Sequence, residues 1–311
     1  GSFALVAPDH DPNTLDLAGY TLTKSGSNVF GVSDTTFTAG TIHIAGGTFT
    51  QYRQAHDASM VAFTFANAAG ANLALGGYDL EVGSLAGGGS TGGSIALGGS
   101  TLTVGDLDTS TTYAGIISGS GGLIKVGLGT LTLSGDNTFT GAIHVNEGIL
   151  KVGHTDALGA DDTSVAKVIV ADGATVDLGG IIDAKYGYTI AGTGALGTGA
   201  IINTGNHIGN STLQSTNIQL AADAMIGGTG NFALLAQDYA ATTLDLATHT
   251  LTKAGTNTFT VVNTTFKAGT VRVAEGTFTQ DRRAHDASMV AFTLDDAAGA
   301  TLALGGFDLS V

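Results

Sequence analysis

The sequence predicts an all-β chain wound as a parallel β-solenoid of short strands. Three observations carry that expectation. Apolar and polar residues alternate in short runs between Gly, Asn and Asp, a period of two that marks strands. The chain of 311 residues holds 49 Gly and 2 Pro, and only 6% of it is aromatic. That is poor in rings for a globular core, but thin coils filled by Leu, Ile, Val and Ala from their neighbours need few. Finally, the chain repeats itself at one fixed offset, as repeat architectures do: residues 3–82 align without a gap on residues 232–311, Leu15 against Leu244.

The alternation is densest in residues 119–153. Leu131 and Leu133 share one side and Thr130 and Thr132 the other; Ile143 and Val145 flank His144, and Leu150 and Val152 flank Lys151. Thr, Val, Ile and Phe are strand residues. The regular Asn-Gly or Asp-Gly turns of hairpins are absent from this stretch, so strands laid over one another in parallel are the economical arrangement.

Around it, Thr21 to Phe30, Thr130 to Phe139 and Thr250 to Phe259 form a smaller repeat, each followed by Gly, a short strand and another Gly. The first and third copies carry an added segment, residues 32–39 and 261–268, expected at a coil corner. Asn28, Asn137 and Asn257 are expected as turn residues, since Asn tolerates a left-handed backbone and bonds locally. Residues 70–105 and 191–210 read as tight Gly and Asn corners between very short strands. Residues 1–229 read as one long unit and 230–311 as the start of the next, within one continuous β-helix. About two thirds of the paired residues in the long repeat are identical. Without a visible signal peptide, and stopping inside a unit, the chain reads as a piece of a longer parent.

The order LIKVGLGTLTLSGDNTFTGAIHVNEGILKV, from about residue 121 to 152, resembles the passenger-associated transport repeat of bacterial autotransporters. Residues 168–180, VIVADGATVDLGG, are similar to the coil that often follows it. The resemblance implies a right-handed single-stranded parallel β-helix on a bacterial surface, read here with three short strands per coil.

Composition excludes several classes. A net charge of −15, from 26 acidic and 11 basic residues, argues against nucleic acid, which needs clustered Lys and Arg. It also argues against docking on an anionic membrane. No apolar run is long enough to span a membrane as a helix. With no Cys there is neither a disulfide framework nor a cysteine zinc site.

One polar stretch and its copy stand out. Gln51, Arg53, His56, Asp57 and Ser59 recur as Gln280, Arg282, His285, Asp286 and Ser288. The segment reads as a helical turn or exposed loop projecting from the coils, and as the candidate contact site. His, Asp and Ser lie close together, but His56 and Asp57 on a strand face opposite ways, and no nucleophile elbow is present. No residue is assigned to catalysis. The acidic residues are scattered, with Asp106, Asp108 and residues 156–162 the nearest clusters and most simply solvated turns. The calcium nonapeptide is missing, and the eight His show no metal spacing. No metal or cofactor is expected. His43, His144 and Arg272 occupy matching outward strand positions. Thr-x-Thr pairs recur at uneven spacing, too irregular for one flat ladder.

The reading is therefore an extracellular stalk or adhesin segment of a large repetitive bacterial surface protein. Its partner would be a glycan or protein on a host or neighbouring cell, or other copies of itself, with neither nucleic acid nor membrane insertion. The alternatives are a carbohydrate-active enzyme or glycan-binding module on the same fold, and a self-assembling extracellular fibre or sheath protein.

Overall fold

The computed structural model describes residues 1–6, 13–181, 186–205, 212–213, 217–236, 239–281, 285–297, 299–305 and 309–310. It divides into two compact units: residues 1–143 with 156–160, and residues 144–155 with 161–311. Both are stacks of short strands, with a 3₁₀ turn at Ala195–Gly197. Every strand pair resolved is parallel; one isolated antiparallel bridge joins Gly89 and Gly92. This is the parallel β-solenoid that the alternation predicted.

In the first unit each coil contributes one strand to each of three walls. Phe3–Val6, Val29–Ser33, Gly47–Tyr52, Ala71–Ala74, Ser94–Gly98 and Ile117–Gly119 follow one another along the first wall. The second wall begins with Asn13–Leu15 under Thr35–Phe37 and continues as residues 56–58, residues 80–82, Leu102–Val104 and Leu123–Lys125. Thr21–Lys24, Gly40–Ile44, residues 61–65, residues 84–87, Thr111–Tyr113 and Thr130–Leu133 belong to the third. His56–Phe65 and Leu80–Gly87 each run across two walls, bending where the register shifts between Val82 and Ser84. A bulge of this kind turns a strand without breaking it. Side-chain hydrogen bonds between neighbouring coils of this unit link residues 20 to 28 apart, from Asn137 to Ala157 and from Gln51 to Asp79.

The second unit repeats the arrangement. Thr212–Leu213, Phe232–Leu234, Thr258–Val262, Thr277–Asp281 and Thr301–Ala303 form one wall. The long strand Asn217–Gly228 covers both Thr242–Asp245 and Thr250–Lys253.

Two expectations are corrected. The added segments are not corner insertions. Thr35–Phe37 and Thr264–Lys267 are full strands of a wall, held there because Phe37 and Phe266 are buried. Nor are Asn137 and Asn257 left-handed turn residues: neither has a positive φ. Both are buried and bridge coils. Asn137 Oδ1 accepts the Ile117 N–H at 2.8 Å and its Nδ2 donates to Ala157 O at 2.6 Å. Asn257 Nδ2 donates to Gly230 O at 2.8 Å. Inside a solenoid the corner carbonyls and N–H groups of adjacent coils face one another; Asn137 satisfies both kinds, whereas Asn257 engages carbonyls alone and leaves its Oδ1 buried without a partner.

The inward face of each unit is mostly apolar. Thr130–Leu133 alternates half-buried Thr with buried Leu, as read from the sequence. Burying one such Leu, Val or Phe contributes about 1.5–3 kcal/mol. The Phe residues pack edge to face between coils and across one coil: Phe49 lies 5.4 Å from Phe30 on the neighbouring coil and 5.7 Å from Phe63 on its own, ring centroid to ring centroid.

The same inward row takes lysine. In Thr21–Lys24 and Thr250–Lys253 the parity that sends Leu22 and Leu251 inward also sends Lys24 and Lys253 inward. Their stems pack in the core and their ammonium groups reach corner carbonyls, as long basic side chains do when an apolar stem is covered. Lys253 Nζ donates to Ala254 O and Gly255 O at 2.8 Å and Glu275 O at 3.2 Å. Lys24 repeats this with Ser25, Gly26 and Gly46, and Lys125 with Val126 and Gly127. Gly47 and Gly276 close these nests with φ near 70°. A Cβ on either would collide with an Asn carbonyl and approach the ammonium.

Burial pushes the Lys253 ammonium down to about 8, against a smaller upward pull from Glu275. The unfolded lysine, at about 10.4, then binds a proton across the window between the two values that the folded one has released. Stability from this site therefore rises with pH through that window. Lys253→Met is expected to shrink the rise in urea midpoint between pH 7.5 and 9.5 relative to the unaltered chain; an identical rise in both would refute the assignment.

Candidate functional site

The segment read as a projecting loop is instead a strand, a tight corner and a second strand. Gln51 lies in Gly47–Tyr52, paired with Val32, and is buried. Arg53 takes the corner with φ 74°, and His56 opens the strand His56–Phe65 with its ring buried. No helical turn forms, because both ends of the segment are already claimed by neighbouring strands.

Gln51 and His56 form an internal pair. Gln51 Nε2 donates to the carbonyls of Tyr78 and, at 3.0 Å, Asp79. Its Oε1 is thereby the acceptor for His56 Nδ1 at 2.9 Å, which places the imidazole hydrogen on Nδ1. His56 Nε2 is buried with no hydrogen-bond partner. Burial pushes the His56 pKa down, against upward pulls from the Gln54 backbone and Asp34. The Phe37 ring stands edge-on to the imidazole at 6.0 Å.

Outside this pair the surface is polar. Asp57 points outward, opposite His56, and its Oδ1 accepts the Ser59 N–H at 2.9 Å. Arg53, half exposed, lies 4.0 Å from Asp34, whose carboxylate also accepts Ser33 Oγ–H at 2.8 Å. A shallow cavity of about 350 Å³ adjoins the corner, lined by Thr36, Phe37, Gln54, His56, Ser59 and Met60. The geometry joins no Ser–His–Asp relay: Asp57 is engaged by a backbone N–H and faces away from His56.

The copy is described in part. Gln280 is again buried and donates to Leu304 O at 3.2 Å, and Ser288 is exposed in a turn. His285 and Asp286 form a short strand paired with Leu309 and Ser310. The side chains of His285 and Asp286, and Arg282 altogether, lie outside the described residues.

A family model, the passenger-associated-transport-repeat, matches residues 123–152. Residues 123–152 are thus similar to one passenger-associated transport repeat. Over 132 residues the chain is also 32% identical to the "Adhesin BmaC autotransporter" of Brucella suis biovar 1 (strain 1330). That alignment covers 36% of this chain and 4% of the adhesin. No solved structure matches the chain.

Within residues 123–152 five side chains serve structure. Lys125 caps a corner, Asn137 bridges coils, and Leu131, Leu133 and Phe139 are buried. The outward positions matched earlier also hold ordinary surface pairs. His43 Nδ1 lies 2.9 Å from Thr64 Oγ1, and Arg272 grips Asp295 with two bonds of 2.8 and 2.6 Å. Asp162 is a turn acceptor for the Ser164 N–H, whereas Asp108 accepts the Leu128 N–H of the next coil.

The coils do bring together carboxylates that are scattered in the sequence. Glu81 lies in register with Asp57 on one side and Thr103 on the other. Burial, and then the charges of Asp106 and Asp57, push its pKa up. Sequence distance hid this row; only the coil register, set by corner lengths, aligns it. A carboxyl raised in the folded state binds more protons than the unfolded one above its ordinary value, so at neutral pH it destabilises the fold. Glu81→Gln is expected to raise the urea midpoint at pH 7 and to lose that advantage at pH 4. A lower midpoint at pH 7 would show the row to be stabilising.

Proposed function

We propose that this chain is a non-enzymatic structural and adhesive segment of an autotransporter-like passenger displayed on the bacterial surface. The corner of residues 51–59 and its copy at 280–288 would provide its contacts with a glycan or protein on a host or neighbouring cell. The observation that carries the reading is the passenger repeat set within a stack of parallel coils whose inward face is filled by packing residues. What supports the contact site is the exposed combination of Tyr52, Arg53, Asp57 and Met60 beside a cavity, on a corner between two paired strands. Arg and Tyr are enriched at contact hot spots.

The test is adhesion of beads coated with the chain to cultured epithelial cells and to a glycan array. An Arg53→Ala, Met60→Ala double variant is expected to lose about tenfold in binding with an unchanged urea midpoint. Equal binding by the variant would move the contact elsewhere, and failure of the unaltered chain to adhere would remove the adhesive role. The Asp57–Glu81 row favours one second reading, a glycan-processing site. Product release from oligosaccharides, lost in Glu81→Gln, would select it.

A further inference from the structure

The second wall of the first unit has a seam without ladder bonds. Thr35–Phe37 pairs with Asn13–Leu15 in a sheet of those two strands. Residues 56–58 pair with residues 80–82 on their other side, and among the described residues no ladder joins them to Thr35–Phe37. Residues 62–65 of the same strand are paired on both sides, to residues 41–44 and 84–87. Ser59 and Met60, between the two stretches, belong to neither ladder. The seam recurs in the copy, where Thr264–Lys267 and His285–Asp286 lie in separate sheets. In the first unit His56 closes it. Its ring meets the Phe37 ring edge-on, and its Nδ1–H donates to Gln51 Oε1 at 2.9 Å.

The imidazole is seated for one protonation state. Nε2 is buried with no hydrogen-bond partner, which suits a bare lone pair and leaves an added N–H without an acceptor. Room to leave lies on both sides. One cavity of about 350 Å³ adjoins Phe37 and Met60, and another of about 250 Å³ is lined by Asp57, Asp79, Glu81 and Thr103. Charged groups surround the ring from each neighbouring element. Asp34 precedes Thr35–Phe37 and lies 4.0 Å from Arg53, which follows Gly47–Tyr52. Asp57 is on the same strand as His56. Asp79 and Glu81 belong to the next coil, where Asp79 accepts the Thr101 N–H at 2.7 Å. Burial holds the ring's pKa down, against upward pulls from the Gln54 backbone and Asp34.

We infer that the His56 corner is an acid-opened latch: in mild acid residues 53–58 lift out of the wall, turning on Ser59 and Met60, and carry the imidazolium out of the core toward the Asp34 and Asp57 carboxylates. On the seam side no backbone ladder has to break, and on the other side only the short one to residues 80–82 opens. Opening takes up one proton, because the freed ring returns to about 6.5. It is therefore favoured about tenfold per pH unit below that value, until the closed ring is itself protonated. The consequence for adhesion rests on the contact reading above: acid would remodel the contact corner. Opening itself is read without any partner, so either can fail alone.

The chain has no cysteine, so one introduced thiol reports the opening. Ala58 is 1% exposed and Met60 58%. The rate at which dithiodipyridine labels Ala58→Cys, divided by the rate for Met60→Cys, is expected to rise about tenfold from pH 7.5 to pH 5.5, with unchanged circular dichroism. Adding His56→Phe to both keeps a ring against Phe37 and is expected to abolish the rise. Should that variant not fold, nitrogen NMR of the unaltered chain supplies the second readout. The His56 hydrogen is expected on Nδ1 at pH 7.5, and labelling should rise in step with protonation of this ring. A ratio that stays flat, a rise that survives His56→Phe, a hydrogen on Nε2 at pH 7.5, or a rise that comes only with global loss of the β signal overturns the inference.

Discussion

Phe49→Ala is expected to cost about 4 kcal/mol, the upper-middle of the range for emptying a packed aromatic site. Phe49 is 1% exposed and stands between Phe30 and Phe63. Its loss removes two edge-to-face contacts and leaves a gap between coils. The strands on either side are tied in backbone register to Gly47–Tyr52. The walls therefore cannot close over the gap without breaking parallel ladders, so collapse offsets little of the cost. Because solenoid coils lean mainly on their neighbours, the damage should be local. Hydrogen exchange should quicken most in residues 29–33, 47–52 and 71–74, with residues 258–262 unaffected. Uniform loss of protection along the whole chain would contradict nearest-neighbour stacking.

The second large effect is Asp177→Ala, expected to cost about 3 kcal/mol at pH 7, the upper end for losing hydrogen bonds to a charged group, because it also orphans two backbone N–H groups. Asp177 is 4% exposed. Its Oδ2 accepts Lys151 Nζ at 2.8 Å and Thr204 Oγ–H at 2.6 Å, and its Oδ1 accepts the N–H groups of Gly179 and Thr204. Burial pushes its pKa up, but the side-chain bonds from Lys151 and Thr204 and those two backbone N–H groups together outweigh it, leaving the carboxyl below 3.8. A carboxyl lowered in the folded state releases its proton there first, so its stabilisation is full above 3.8 and fades as pH falls through the folded value. Unfolding of the unaltered chain and Asp177→Ala, followed by circular dichroism, should differ most at neutral pH and draw together in acid. A gap that persists unchanged at pH 2 would mean that the ionised carboxylate is not the source.

Several features were legible before any coordinates. The period of two in Thr130–Leu133 is the burial pattern observed, and the scarcity of hairpin turns in the central stretch matches the parallel pairing. The outward Asp57 opposite His56 followed from strand parity. The same parity, carried one residue further, would have turned Lys24 and Lys253 inward, yet lysine suggests an exposed position. Inward Asn137 was missed for a similar reason: a local turn is the simplest use of Asn when its cross-coil partners, Ile117 and Ala157, lie 20 residues away on either side.

The chain alone therefore determined the class of fold, the alternation of inward and outward side chains, and the presence of a long repeat. Those properties depend on near neighbours and on simple periodicity. Tertiary structure alone decided which residues lie above one another, because coil register depends on the length and bend of every corner. That register made a wall strand of an expected insertion and a buried pair of Gln51 and His56. It also set Asp57 against Glu81.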